Sequence, residues 1–229
     1  ISNSTVLKNL LGITNEKELD LAEAELSRAN MMLLYENGFS DFSSSGFCFI
    51  HKFLFGDVYE WAGQYRKINI QKREELLAGR SVWYSNVTEI GADLDKVFAE
   101  IKKIDWASLT REDFAKQIAR LFPKLWQVHP FREGNTRTTV MMMTFFVERY
   151  GYYFDQNLMA ESAGYVRDSF VLASLGEHSE YEHLEKILLD AICIEPVDYD
   201  VTIVDENQKE RYEKYKSKDY TPTKHEYIE

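Results

Sequence analysis

The sequence predicts an all-α domain, mainly helical, carrying one small β-hairpin. Three observations lead there. Apolar residues recur at three- and four-residue spacing along most of the chain, the period of a helix with one buried face. One stretch departs from it: Ile68-Asn69-Ile70-Gln71 and Ser81-Val82-Trp83-Tyr84 alternate with period two, with Gly79 in the connection. The 229 residues, 45% hydrophobic and 14% aromatic, are enough to bury a proper core and exclude a disordered chain.

The elements follow in order. Leu19, Ala22, Leu26, Ala29 and Leu33 form a helical stripe that ends at Asn37-Gly38, a C-terminal cap. Ser43-Ser44-Ser45-Gly46 opens the next helix, whose Phe47, Ile50, Phe53 and Leu54 pack, with Gly56 and Gly63 bounding a turn. The alternating pair 68–71 and 81–84 is the hairpin. Ile90, Leu94, Val97, Phe98, Ile101 and Ile104 make an amphipathic helix. Thr110 with Asp113 forms a capping box ahead of Phe114, Ile118, Leu121 and Leu125, and Pro123 should kink or end that helix before His129. From Thr138 to Tyr150 the chain is apolar on nearly every side (Val140, Met141, Met142, Met143, Phe145, Phe146, Val147), which makes this the central buried helix, the methionines being core filler. Tyr181, Leu184, Ile187, Leu188 and Ala191 make the last core helix. After Pro196 the composition turns to mixed charge and tyrosines (Tyr199, Tyr212, Tyr215, Tyr220, Tyr227), so a domain over 1–195 and a charged tail over 196–229 are expected, the exposed tyrosines being candidate self-modification acceptors.

A formal net charge of −11 argues against a general nucleic-acid binder, which needs a basic face for phosphates. Cys48 and Cys193 have no metal spacing and read as free thiols in a reducing compartment; His178 and His183 read as helix-surface residues rather than zinc ligands. No apolar run approaches the ~20 residues of a membrane span, and with neither a charged n-region nor an apolar h-region near Ile1 a secretory leader is not expected. The expected location is the cytoplasm, a signature that an effector exported by another route would share.

The chemistry concentrates in His129-Pro130-Phe131-Arg132-Glu133-Gly134-Asn135-Thr136-Arg137, directly ahead of the apolar helix. A polar loop at a helix N-terminus is a ready anion site. His129 suits a general base. Glu133 is a hard oxygen ligand of the kind Mg²⁺ takes beside waters and phosphate oxygens. Gly134 lets backbone approach a phosphate without a Cβ, while Asn135 offers amide donors and Arg137 a planar fork. Phe131 should plug the loop into the core. Singly, each residue has an ordinary structural reading: a capping histidine, a turn. Jointly they suggest transfer from a Mg-nucleotide to a hydroxyl.

This segment resembles the signature of the Fic (Fic/Doc) family, H-x-F-x-[DE]-G-N-G-R-x-x-R, at His129, Phe131, Glu133, Gly134, Asn135 and Arg137. The run from Ile50 to Gln64 is similar to the family's helix and turn, and Leu7-Lys8-Asn9 with Gly12-Ile13 to its N-terminal entry, so the likeness covers about Val6 to Cys193. It implies a mainly helical Fic fold and a protein adenylyltransferase, with ATP as co-substrate and Mg²⁺ as cofactor. In that reading His129 deprotonates a target Tyr, Ser or Thr, and Glu133 holds the metal. Phe131, Gly134, Asn135, Thr136 and Arg137 form the nucleotide site. The resemblance also makes the hairpin, through Ser81, Val82, Trp83 and Tyr84, a flap to which the target adds as a strand.

Two positions depart from the signature. Thr136 replaces a glycine, and Val140 replaces the second arginine, which in the family contacts the terminal phosphate and pairs with an inhibitory glutamate. Thr202 with Glu206-Asn207 fits the family's inhibitory pattern. With Val140 unable to pair, control by that segment should be weak. Other readings stay open at this stage: a weakened nucleotide-binding interaction module, the toxin half of a toxin–antitoxin pair, or transfer of another phosphate-containing group. A second copy of the chain or a small inhibitory protein stays open as a partner; nucleic acid and membrane are not expected ones.

Overall fold

The computed structural model describes residues 6–197 together with Lys214 and Tyr215. Eight helices and one two-stranded sheet are assigned among them. The first three helices are α1 (Glu16–Asn37), α2 (Ser44–Phe55) and α3 (Ile90–Lys102). Next come α4 (Arg111–Val128), α5 (Asn135–Arg149), β1 (Tyr153–Phe154), α6 (Gln156–Glu161) and α7 (Ala163–Leu172). The last elements are α8 (Glu182–Ala191) and β2 (Ile192–Cys193).

The predicted caps form. Gly38 takes φ +73° and its N–H returns to the Leu34 and Tyr35 carbonyls. Ser43 Oγ accepts from Gly46 N–H at 3.2 Å, and Thr110 Oγ1 from Asp113 N–H at 3.1 Å. The central helix α5 is buried from Thr138 through Val147 except at Arg149's end and the half-buried Val140, and it packs on α2 and α4. It starts three residues earlier than Thr138, at Asn135, so the motif itself is the first turn.

Four expectations need correction. α4 does not end at Pro123 but runs on to Val128. The proline removes one N–H from the helix, a cost of roughly 3 kcal/mol. Burial on several sides outweighs it, because α4 is packed by α3, α5, α7 and α8. α1 is rotated from the apolar stripe: Leu19, Glu23, Ser27 and Leu34 face inward, whereas Ala29 is exposed and Leu33 is 51% exposed. Polar partners described below draw Glu23 and Ser27 inside. The segments 68–71 and 81–84 are not strands; the sheet is β1–β2, antiparallel with Tyr153 opposite Cys193. Finally, Tyr215 is not an exposed tyrosine: it is 2% exposed and donates to Asp190 Oδ2 at 2.7 Å. Tyr199, Tyr212, Tyr220 and Tyr227 lie outside the described residues, as do Thr202, Glu206 and Asn207. The pair α6 and α7 was not foreseen from periodicity. No helix among the described residues is long and apolar enough to cross a membrane.

In place of the hairpin, two extended arms flank a 3-10 turn at Glu75–Leu77. The turn closes through Glu74 N–H to the Arg80 carbonyl (3.0 Å) and Gly79 N–H to the Glu74 carbonyl (2.9 Å). No ladder follows; side chains of the two segments reach amides just outside them, Lys72 N–H going to Ser81 Oγ at 3.2 Å and Val87 N–H to Asn69 Oδ1 at 2.8 Å. The flap is still pinned to the body. Arg167 Nη2 on α7 donates to both oxygens of buried Glu74 at 2.9 and 2.7 Å, and Gln127 Nε2 on α4 donates to the Trp83 carbonyl at 3.2 Å.

Candidate active site

α4 ends in His129, which caps it in the left-handed conformation, φ +49° and ψ +56°. That conformation costs a non-glycine residue roughly 1–2 kcal/mol and is held only where the surroundings over-determine it. They do here. His129 N–H returns to the Trp126 carbonyl at 3.0 Å, and its own carbonyl accepts from Arg66 Nε at 2.9 Å. The ring lies 4.3 Å from the Tyr84 ring and edge-on to Trp126.

His129 Nδ1 sits 3.2 Å from the Trp126 carbonyl, which can only accept, so the ring proton belongs on Nδ1. Nε2 then carries a lone pair, and it is buried without a hydrogen-bond partner among the described residues. Burial holds the imidazole well below its ordinary pKa, and the positive charges of Lys72, Arg66 and Arg167 push the same way. The group is therefore neutral at pH 7. A buried nitrogen with a free lone pair needs an explanation, and a proton still to be accepted supplies one.

The loop 129–134 is fastened from behind. Arg66 is buried and meets carbonyls alone: besides His129, it donates through Nη1 to Ile68 (2.8 Å) and through Nη2 to Ser85, the two roots of the flap, while its backbone N–H reaches Pro130 (2.8 Å). Phe131 is fully buried, stacked on His51 with ring centroids 3.8 Å apart. It does not line the cavity, so its place in the nucleotide site is corrected to that of a core plug. Asn135 is also reassigned: its Oδ1 accepts from Phe131 N–H (3.0 Å) and its Nδ2 donates to the Phe131 carbonyl (2.9 Å). That side chain closes the loop, leaving the backbone N–H as what Asn135 can offer an anion. Gly134, at φ +79°, has a reason to be glycine beyond the one expected. A Cβ there would drive into the Phe55 ring, so the core imposes a constraint of its own.

In front of the loop lies a cavity of about 810 Å³, within the range that takes a small-molecule cofactor or nucleotide. His129, Lys72, Arg132 and Arg167 line it together with Glu16, Asp20, Glu23 and Glu133, and Leu7, Leu19 and Tyr59 add apolar surface. Glu133 is half-exposed, with Oε1 accepting from Gly134 N–H at 3.1 Å and Oε2 3.9 Å from Lys72 Nζ. Among the described residues no group of three or more metal-ligating side chains gathers. Thr136 presents its hydroxyl to Trp126 Nε1, which donates at 2.9 Å, so the threonine ties the first turn of α5 to α4. Arg137 lines the cavity but is engaged. Its guanidinium lies 4.7 Å over the Phe55 ring, donates to Ser27 Oγ at 2.7 Å, and is ion-paired with Glu23. Glu23 also accepts from Tyr59 Oη, and burial together with that bond raises the Tyr59 phenol far above its usual range. α1 therefore supplies a glutamate to the first arginine of the motif, although Val140 removes the second.

The structure brings His129, Glu133, Gly134, Asn135, Thr136 and Arg137 together on the cavity wall. Lys72, Arg132, Arg167, Arg66 and Glu23 were not assigned a role from the sequence. Two of them left a signal: Arg132 inside the motif segment, and Glu23 as a carboxylate inside an otherwise apolar helical stripe.

The model of the Fic/DOC family matches residues 41–147. A probable protein adenylyltransferase of Sinorhizobium fredii is 32% identical over 66% of this chain and 76% of its own length. A protein adenylyltransferase of Bartonella henselae is 31% identical over 80% of this chain, but the chain spans only 35% of that longer protein. The Fic domain of a VirB-translocated effector from Bartonella quintana superposes with a TM-score of 0.69 at 25% identity, covering 84% of this chain and 90% of that one. The BepC effector of Bartonella tribocorum, with AMPPNP bound, shares the fold at a TM-score of 0.72 and 19% identity, over 86% of this chain and 96% of its own.

Proposed function

The chain belongs to the Fic/DOC family, and on that premise we propose that it transfers AMP from ATP to a Tyr, Ser or Thr hydroxyl of a target protein. The observation that carries the reading is the buried Nε2 of a neutral His129, without a hydrogen-bond partner among the described residues, beside a cavity whose lining brings Lys72, Arg132, Arg137 and Arg167 together with the carboxylates of Glu16, Asp20, Glu23 and Glu133. The acceptor oxygen attacks the α-phosphorus as its proton passes to His129 Nε2. The bond from the α-phosphorus to the bridging oxygen breaks, and pyrophosphate leaves.

The backbone N–H groups of Gly134 and Asn135, with the N-terminus of α5, face the charge that builds on the α-phosphate. Arg137, shared with Glu23 in this conformation, is placed for the β-phosphate; Lys72 and Arg132 add positive charge nearby. Glu133 is a half-exposed carboxylate beside the anion nest, a donor that fits Mg²⁺ taking its remaining ligands from phosphates and water. When bound, the ion neutralises phosphate charge. The target enters over the flap at Ser81, Val82, Trp83 and Tyr84: Trp83 is 89% exposed and Ile68 68%, an apolar landing beside arms that no ladder has consumed. Tyr84 covers the imidazole, so the incoming hydroxyl passes it. We place the reaction in a cytoplasm, that of the producing cell or of a cell reached by export, and assign 1–195 to catalysis and 196–229 to a tail.

Incubation with ATP labelled at the α or the γ position, with Mg²⁺, tests the transferred group. Label from the α position alone on protein is expected. Label from the γ position would make the chain a kinase and overturn the proposal.

A further inference from the structure

His51 has no part in the chemistry above, yet it is fully buried directly beneath the motif loop. Gly63 N–H points at its Nδ1 at 2.8 Å, so Nδ1 accepts and the ring proton must sit on Nε2. From there it donates to the Glu133 carbonyl at 3.0 Å. Gly63 itself has to be glycine at φ +78°, because a Cβ would stand 2.7 Å from Lys52 Cβ and 3.0 Å from the Cys48 carbonyl. Stacking on Phe131 fixes the plane of the ring, and Trp61 and Phe55 flank it. Burial keeps the imidazole neutral, with a pKa lowered to about 4.

The peptide joining Glu133 to Gly134 is trans, so its carbonyl and its N–H point in opposite directions. Holding the carbonyl down toward His51 therefore turns the Gly134 N–H up toward the cavity, where it now meets Glu133 Oε1 at 3.1 Å. The same anchor fixes the backbone from which the Glu133 carboxylate projects. Asn135 and Arg66 clamp other carbonyls of this loop, but the peptide that carries both the carboxylate and the first amide of the anion nest is held from below by His51.

We propose that His51 is a positioning residue for the transfer reaction: its Nε2–H sets the Glu133–Gly134 peptide so that the Gly134 amide and the Glu133 carboxylate face the nucleotide together. The role rests on the adenylyl-transfer reading for its effect on turnover, but its effect on nucleotide binding can be read separately.

Two substitutions divide the functions of the ring. His51→Gln carries a donor at the position of Nε2 and can still reach the Glu133 carbonyl; His51→Asn can accept from Gly63 but loses that donor. For each, ATP affinity would be measured by calorimetry with and without Mg²⁺, alongside kcat, KM and thermal midpoint. His51→Asn is expected to lose roughly 10–100-fold in Mg²⁺-dependent ATP affinity and in kcat, the usual cost of a lost group behind a metal ligand. Affinity without Mg²⁺ should change less, and His51→Gln should recover most of both losses at a similar thermal midpoint. Equal loss in the two variants, or losses that follow the thermal midpoint alone, would overturn the proposal and leave His51 a core residue. Should His51→Asn fail to fold, imidazole ¹⁵N shifts in the wild-type protein decide: protonation at Nε2 supports the role, and protonation at Nδ1 ends it. If wild type binds Mg-ATP but transfers no AMP, the function fails while the binding comparison still judges His51.

Discussion

The motif loop and the flap face the same cavity and are built in opposite ways. Between His129 and Gly134 the carbonyls of His129, Pro130, Phe131 and Glu133 are each held by a named donor, and Phe131 is locked among aromatic rings. The flap has a closed turn and a few pins, at Glu74, Trp83 and the Arg66 roots, with its arms left without a ladder and Trp83 standing in solvent. The contrast separates two tasks. Transition-state groups gain from being fixed before substrate arrives, whereas a surface that must accept another chain's backbone gains from unspent hydrogen bonds. Arg66 is where the two meet, since one guanidinium holds both flap roots and the catalytic residue's own carbonyl.

The rigid side should break hardest. Gly134→Ala drives a Cβ into the Phe55 ring and forces an L residue to a positive φ. A loss on the order of 3 kcal/mol is expected, seen as a lower thermal midpoint, and an unchanged midpoint would mean the loop is loose. On the open side, Trp83→Ala should leave the midpoint and ATP affinity alone. It should raise KM for a protein target roughly 5–30-fold, equivalent to about 1–2 kcal/mol of lost contact. A variant that binds target normally but melts early would reverse the assignment of the two regions. Glu23→Gln removes a negative charge from the cavity and loosens Arg137, so ATP affinity should rise by about 1 kcal/mol, read by calorimetry. A fall would place Glu23 on the nucleotide's side instead. The smallest effect is a flat line. Because the His129 pKa lies well below 6.5, the base stays unprotonated as pH falls, and turnover should hold steady from about pH 8 to about 6.5. A rate already halved near pH 6.5 would show an imidazole in ordinary surroundings.

How far the sequence revealed this arrangement depended on whether neighbours in space were neighbours in the chain. The nine residues from His129 to Arg137 are contiguous, so their joint chemistry could be read directly, as could α3 and α8 from apolar spacing and α4 from its capping box. Lys72, Arg167 and Arg66 reach the site from other elements, and no local pattern announces them. Alternation at 68–71 and 81–84 misled because the two arms are joined through side chains, Ser81 to Lys72 N–H and Asn69 to Val87 N–H, and not through paired backbones. The face of α1 misled because burying Glu23 against Arg137 and Tyr59 mattered more than burying Leu33. Pro123 did not stop α4 at its own position because propensity is a local cost and α4 is packed on several sides.

The most direct test of the central claim compares wild type with His129→Ala, both incubated with Mg²⁺ and ATP labelled at the α-phosphate. ATP binding by the variant would be confirmed first by calorimetry. The imidazole as proton acceptor predicts that the variant binds ATP yet labels protein roughly 10²–10⁴-fold more slowly. Labelling at the wild-type rate by a variant that binds ATP would contradict it.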